Sequence, residues 1–366
     1  MKNFFKATVC VAALAATSAM AGQYPFPQNM KSPNGYTIPF ADTDMIKDHY
    51  NKWKAAWYDA NQGWILAPEG TCSTVSEAIA YGMLITVYMD DQTVFEKLYG
   101  TWKSNGGNGG GMNWRVGCNG GSGSASDADF DAALALVMAS KQWNSTSYLD
   151  DAKKIISWIA SNDINNNQIK PGSQWNDAFN PSYATTANFA LFQKVAGGSW
   201  NNVISQAYTD LNACQNGTSG LVPDWCSWGS HQPTKTSAAV AQDEQAGFYD
   251  DAARTPWRMA WAYYWYGDTK AQAFNKKVAN WVIPATHTAS GINSGYLVDG
   301  TPVKTEKRGF ASGLATAFSG VAQAVTYLTV NWCLILTPEW TWRAGFRFPI
   351  IPMVLILTAF VFFFKE

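Results

Sequence analysis

Nine stretches of this 366-residue chain repeat apolar side chains at helical spacing: 45–59, 74–90, 128–142, 148–161, 184–194, 201–213, 252–265, 269–281 and 311–329. Long alternating stretches, the mark of a half-buried strand, are absent. Helices with an apolar face must bury it against one another, so the pattern predicts a mostly helical domain built from helix pairs. Gly- and Asn-rich loops at 104–111, 117–123 and 162–167 punctuate the helices rather than divide domains. No strict repeat is present. Helices of similar length joined by loops of very unequal length nevertheless suggest a closed ring with elaborated loops at one end, where a functional site is expected.

The two termini read differently from this body. Lys2 and Lys6, the apolar run Val9 to Ala16 and the small-residue site Ala19-Met20-Ala21 make residues 1–21 a signal peptide. Residues 22–327 then form one domain, since no Pro/Ser-rich linker interrupts them. Residues 328–366 are an atypical hydrophobic tail with Trp332, Trp340 and Trp342 and an uncharged stretch from Phe348 to Phe364, bounded by Arg347 and Lys365. That stretch is borderline for a membrane span, which needs about 20 residues. Three readings stand: a membrane contact through 348–364, a packed closing helix, or a segment foreign to the fold.

Composition narrows the partner. A net charge of −1 with 14% charged residues and no basic cluster lacks the footprint of a nucleic-acid binder. Against that, 18 Trp, 16 Tyr and 19 Phe supply flat rings with polar handles, which suit the apolar faces and hydroxyl edges of sugars. A neutral, hydroxyl-rich substrate fits, and a monomer is expected. Within the body lie Cys72, Cys118, Cys214 and Cys226. In an exported chain these suggest two disulfides with three connectivities to choose from, Cys214 with Cys226 being favoured by proximity and Cys72 with Cys118 by elimination. The only histidines, His49, His231 and His287, are not at zinc-ligand spacing from any cysteine, and no phosphate loop, dinucleotide fingerprint or metal cage is recognisable, so no cofactor is indicated.

Three clusters could carry chemistry. Thr74-x-x-Glu77 opens a helix and reads as a capping box, the structural reading that local grammar favours for Glu77. Among Val, Ile and Tyr, the same carboxyl could be desolvated enough to keep a proton for a leaving group. Asp127, Asp129 and Asp131 follow one another at alternate positions ahead of the apolar run Ala132 to Ala139. This is not a calcium hand, because Ala132 stands at the sixth position and Met138 at the twelfth. On a helix Asp127 and Asp131 share a face and Asp129 points elsewhere, so one carboxylate could meet substrate while another caps the helix. The third cluster runs from Tyr249 through Asp250, Asp251, Arg254 and Trp257 to Arg258. Its structural reading is an Asp250 to Arg254 pair at i,i+4; its chemical reading is a guanidinium that keeps Asp251 ionised, as a general base must be.

These clusters together resemble glycoside hydrolase family 8, inverting endoglucanases, xylanases, chitosanases and lichenases, over about residues 30 to 327. The most specific piece is Ala125-Ser126-Asp127-Ala128-Asp129 continuing through Ala133, Ala135, Leu136, Val137, Ala139 and Trp143, which departs from the family signature only in Ala132, where Ile or Met is usual. The resemblance implies an all-α fold, an (α/α)6 barrel, with Glu77 as proton donor, Asp127 binding and distorting the central sugar, and Asp251 as general base. It further implies that Trp114 and Arg115, in Met112-Asn113-Trp114-Arg115, and Trp175 and Tyr183 line the sugar cleft, with Asp250 and Arg254 beside the base. Two departures stand out. Asp250 occupies the position before the base where the family usually has Tyr, which makes it a rival base. Residues 328–366 do not resemble the family's closing helices, which leaves the ring incomplete at the C-terminus. The expected activity is endo-cleavage of a β-1,4-glucan. Xylan and mixed-linkage glucan are the alternatives, chosen by the room around a sugar's C6 group; Asp at the base position and a near-neutral chain argue against chitosan. A non-catalytic carbohydrate-binding protein and an envelope protein held by the tail are the rivals from other classes.

Overall fold

The computed structural model describes residues 22–28, 34, 43–66, 72–119, 121–234, 246–286, 292–293 and 295–304. The expected signal peptide, the helix at 311–329 and the tail 328–366 lie outside the described residues. Within them the helices are α1 (Thr43–Trp57), α2 (Ser76–Tyr88), α3 (Gln92–Trp102), α4 (Ser126–Gln142), α5 (Thr146–Asn162), α6 (Thr186–Ala196), α7 (Trp200–Cys214), α8 (Arg254–Tyr266) and α9 (Thr269–Thr286). Short antiparallel hairpins pair β1 (Tyr58–Asp59) with β2 (Trp64–Ile65), β3 (Thr74–Val75) with β4 (Arg115–Val116), β5 (Ile164–Asn165) with β6 (Gln168–Ile169) and β7 (Gly295–Tyr296) with β8 (Pro302–Lys304).

The helices alternate between two layers. α2, α4, α6 and α8 pack side by side in that order, and each is backed by its successor, α3, α5, α7 or α9. Burial follows the sequence pattern. In α2 every residue from Ser76 to Tyr88 is buried except Glu77, and in α4 only Met138 and Lys141 escape burial. A helix apolar all round must sit inside, whereas α5 buries one stripe, Tyr148, Ala152, Ile155, Ile156 and Ile159, and turns its charged face outward. Burying each of these isoleucines contributes about 1.5–3 kcal/mol.

One helix escapes the sequence pattern. α3 carries a clean 3.6-residue stripe, Val94, Phe95, Leu98, Tyr99 and Trp102, and an Asp91 cap that accepts the Val94 N–H at 3.1 Å. Gly100 near its end and the Gly-rich loop beyond disguise it as loop.

The layering brings helix N-termini together. Glu77 is the second residue of α2, Asp127 the second of α4, and Arg254 the first of α8. Each N-terminus presents unpaired N–H groups and about half a positive charge, which favours carboxylates. Both disulfides form as expected, Cys72 with Cys118 and Cys214 with Cys226. The first ties together the segments that flank the β3/β4 hairpin, immediately before Glu77.

Candidate active site

The side chain that joins the three sequence clusters is Arg254. Its Nη1 donates to Glu77 Oε1 at 2.6 Å and to Asp127 Oδ2 at 2.8 Å, while Nη2 donates to Asp251 Oδ1 at 2.7 Å. Three carboxylates from three chain regions therefore share one guanidinium whose side chain is 14% exposed. Charge-assisted bonds of this length are the strong kind, and Arg can direct them to several partners at once because its donors are fixed in a plane. The expected pairing of Arg254 with Asp250 gives way to this bridge, in which Asp251 is the nearer partner along the chain.

Each carboxylate has a distinct setting. Glu77 reaches Arg254 because it does not cap its helix: Val75 is the N-cap, without a side-chain bond, and Thr74 is held in the β3/β4 pairing opposite Val116. The capping-box reading is thereby overturned, since hairpin pairing removes the geometry the box requires. Asp127 is buried, accepts the Ala128 N–H at 2.9 Å, and is pushed up to about 6 by burial, with Glu77, Asp251 and Asp131 adding to the rise against the pull of Arg254. Asp251 is held from its other oxygen by Asn180 Nδ2 at 3.0 Å. Asp224, buried, accepts the Tyr249 N–H at 3.0 Å and the Ala252 N–H at 2.7 Å, so it clamps the turn that presents Asp251. Burial raises the Asp224 carboxyl, and the charges of Asp251 and Asp250 push it further up.

The three alternating aspartates split as helical geometry requires. Asp127 and Asp131 share a face and meet Arg254 and Arg258 respectively. Asp129 turns the other way into a buried pair with Asp163, where burial holds a proton on the pair. None of the three caps α4, whose N-cap Ala125 has no side-chain bond, which corrects the expected division of labour.

Aromatic residues surround this cluster unequally. Trp114 follows from the backbone bond between the Ser76 N–H and Trp114 O at 3.0 Å, which fixes it beside the start of α2. The Arg115 guanidinium lies 3.8 Å over the Trp114 ring, and Trp175 meets Trp114 edge-on at 6.2 Å. Trp175 is placed by a turn with Gly172, where any Cβ would collide with the Ser124 carbonyl oxygen, so only glycine fits. Tyr183 is buried, with Arg254 5.7 Å from its ring and Trp225 against its edge. Trp114 and Trp175 keep partial exposure, whereas Tyr183 forms the floor beneath Arg254.

Sequence reasoning missed Asn180, Asp224 and Tyr81. Tyr81 is buried on α2, its ring 5.9 Å from Trp257 and its hydroxyl in the field of Glu77 and Arg254. Asn180 stands three residues before Tyr183; nothing near Asp224 in sequence marks it, because its partners are 25 and 28 residues away.

Acid and base work on a neutral polymer calls for carboxyls of differing environment set beside flat rings, and their union here marks the protein as a hydrolase of glycosidic bonds. Comparison with known proteins agrees. The family described as Glycosyl hydrolases family 8 matches residues 24–330. Endoglucanase 2 of Ruminiclostridium josui is 31% identical over 344 residues, covering 87% of this chain and 73% of that protein. Beta-glucanase of Niallia circulans is 31% identical over 355 residues, covering 88% and 85%. The apo structure of beta-1,3-1,4-glucanase from Paenibacillus sp. X4 superposes with a TM-score of 0.76 at 26% identity, over 92% of this chain and 98% of that one. The chain belongs to glycosyl hydrolases family 8 and is a glycosidase.

Proposed function

We propose that the protein is a secreted, endo-acting β-1,4-glucanase that hydrolyses its substrate with inversion on a closed (α/α)6 ring. The observation that carries this reading is the Arg254 bridge, which draws Glu77, Asp127 and Asp251 to one place from three helix starts. Glu77 protonates the glycosidic oxygen as the bond breaks. Asp251 deprotonates a water that attacks the anomeric carbon from the opposite face, held by Arg254 and Asn180 in the orientation a base needs. An inverting pair leaves about 6.5–9.5 Å between its carboxyls for that water. Asp127, bonded to the same guanidinium, meets the hydroxyls of the central ring, and Trp114 and Trp175 stack the neighbouring sugars, so that remote binding energy bends the reacting one.

The four helix pairs, each inner helix beside the next, support the ring; the residues that would close it lie outside the described ones. Two disulfides suit an oxidising compartment, which fits export by residues 1–21. A second reading, mixed-linkage glucan as the preferred substrate, is favoured by the likeness to the Paenibacillus enzyme. The protein acts as a monomer, and Asp250, immediately before Asp251, is its rival for the part of the base.

The test is a panel of carboxymethylcellulose, barley β-glucan, lichenan and xylan, with product anomers followed by NMR. Release of α-anomers from a β-glucan, abolished in Glu77→Gln and in Asp251→Asn, is expected. Near-normal turnover by either folded variant sinks the mechanism, and no turnover on any glycan leaves a carbohydrate-binding protein.

A further inference from the structure

One turn below the Arg254 bridge, on the same two helices, lies a second rung. Arg258 Nη1 donates to Asp131 Oδ1 at 2.7 Å and Nη2 to Asp131 Oδ2 at 2.6 Å, with side chains 0% and 1% exposed. Asp131 and Arg258 follow Asp127 and Arg254 at i+4, so the two ion pairs form a ladder between α4 and α8. The lower rung is where the inner helices meet. α6 contributes Asn188, whose Nδ2 lies 3.3 Å from Asp131 Oδ1. The Trp257 and Trp261 rings of α8 lie 4.3 and 5.5 Å from the Arg258 guanidinium, and Tyr81 of α2 packs on Trp257.

We infer that Asp131 and Arg258 are positioning residues for hydrolysis, a bidentate lock that fixes the register of α4 against α8 so that Asp127 and Arg254 meet in the rung above. A bidentate pair is directional, and apolar side chains at these two positions would leave the helices free to slide or rotate. Because i and i+4 are neighbours on a helix, a slip of the lower rung moves the upper one by the same amount.

The lock also acts through its charge. Asp131 raises the proton affinity of Asp127, and Arg258 feels Asp131, Tyr81 and Arg254. The other groups facing this region are Glu77, Tyr81 and Tyr88 from α2, Tyr183 from the turn before α6, and Asp251 from the turn before α8. Neutralising one partner of the lock therefore leaves an uncompensated charge one turn from Asp127. Asp131→Asn leaves a cation and lowers the affinity of Asp127 for its proton; Arg258→Met leaves an anion and raises it. A role in folding alone leaves kcat unchanged in any variant that folds.

This inference rests on the proposed function for its kinetic arm only. The experiment titrates Asp127 by carboxyl 13C NMR in the wild type, Asp131→Asn and Arg258→Met, and measures kcat and KM on barley β-glucan across pH. Midpoints for Asp127 that move in opposite directions by at least about half a pH unit are expected, with kcat down about 10²-fold and KM little changed. Movement in the same direction, or none, overturns the inference. Should a single variant not fold, Asp131→Asn/Arg258→Met removes both charges and retains a folded core. Its kcat is expected to fall in the same way, and wild-type kcat with an unmoved pH profile overturns the positioning role. Wild-type inactivity on every glycan would sink the proposed function while the NMR titration still decides the lock.

Discussion

Replacing Arg254 with Met tests how three acids share one site. The change removes bonds of 2.6, 2.8 and 2.7 Å to Glu77, Asp127 and Asp251, whose side chains are 16%, 5% and 29% exposed. Removing one partner of a buried ion pair costs about 3–5 kcal/mol, because the remaining charge is stranded. Asp127 can relieve part of that by taking up a proton, so the variant should fold with a modest loss of stability near pH 5 and a larger one near pH 8. The sign follows from Asp127. Burial already pushes it up to about 6, with Arg254 the opposing influence. An opposite charge at contact distance lowers the pKa of a carboxyl by about 1–3, so its removal raises the titration of Asp127 by about that much. Asp127 must be ionised to accept hydrogen bonds from the sugar hydroxyls, so on the acid side of the profile the rate falls about tenfold for every pH unit by which its midpoint rises. The assay is kcat/KM on barley β-glucan from pH 4 to 9 for both proteins. The expected result is an acid limb moved upward by about 1–3 pH units, over a general loss from misplaced carboxyls. A variant whose profile keeps the wild-type position, whatever its height, refutes the reasoning, for Arg254 would then not govern the protonation of the site.

Two further perturbations address the frame. Burial pushes Asp163 up to about 7 against the lowering hydrogen bond from Asp129, so between about pH 4, where the unfolded carboxyl ionises, and pH 7 the folded protein holds a proton that the unfolded chain has released. Stability therefore falls with rising pH across that window, by up to about 1.4 kcal/mol per pH unit for one group. In Asp163→Asn the slope should be shallower, as urea unfolding at pH 4.5 and 7 would measure; an unchanged slope contradicts the buried pair. Removing the Cys72 to Cys118 bridge by double serine substitution releases a loop of 46-residue separation. This should cost about 4 kcal/mol in the chain-entropy account and lower kcat through Glu77 and Trp114, read by thermal unfolding and turnover. Loss of stability with full activity would show that the hairpin does not place them.

Much of this protein is legible along the chain. The all-apolar runs of α2 and α4 and the single stripe of α5 announce inner and outer helices, because burial on all sides and on one side leave different periodicities. Asp127 and Asp131 are expected on one face, and they are, since i and i+4 coincide on any helix. Local grammar misleads where the contact is not local. Thr74 and Glu77 have capping-box spacing, but Thr74 is committed to a hairpin whose other strand lies some 40 residues on. Arg254 has Asp250 at i−4, yet its nearest bonds run to residues 177 and 127 positions away as well as to Asp251. What the chain determines by itself is which residues are helical, which faces are apolar, which cysteines are near enough to join and which acids are candidates, for these depend on side-chain identity and on neighbours within a turn or two. Only the tertiary structure decided that Asp127 rather than Asp129 faces the cation, that Asp224 and Asn180 hold Asp251 and its turn, and that Asp131 and Arg258 form a second rung. Ion pairs between helices depend on how those helices cross, and crossing is settled by the packing of the whole core at once.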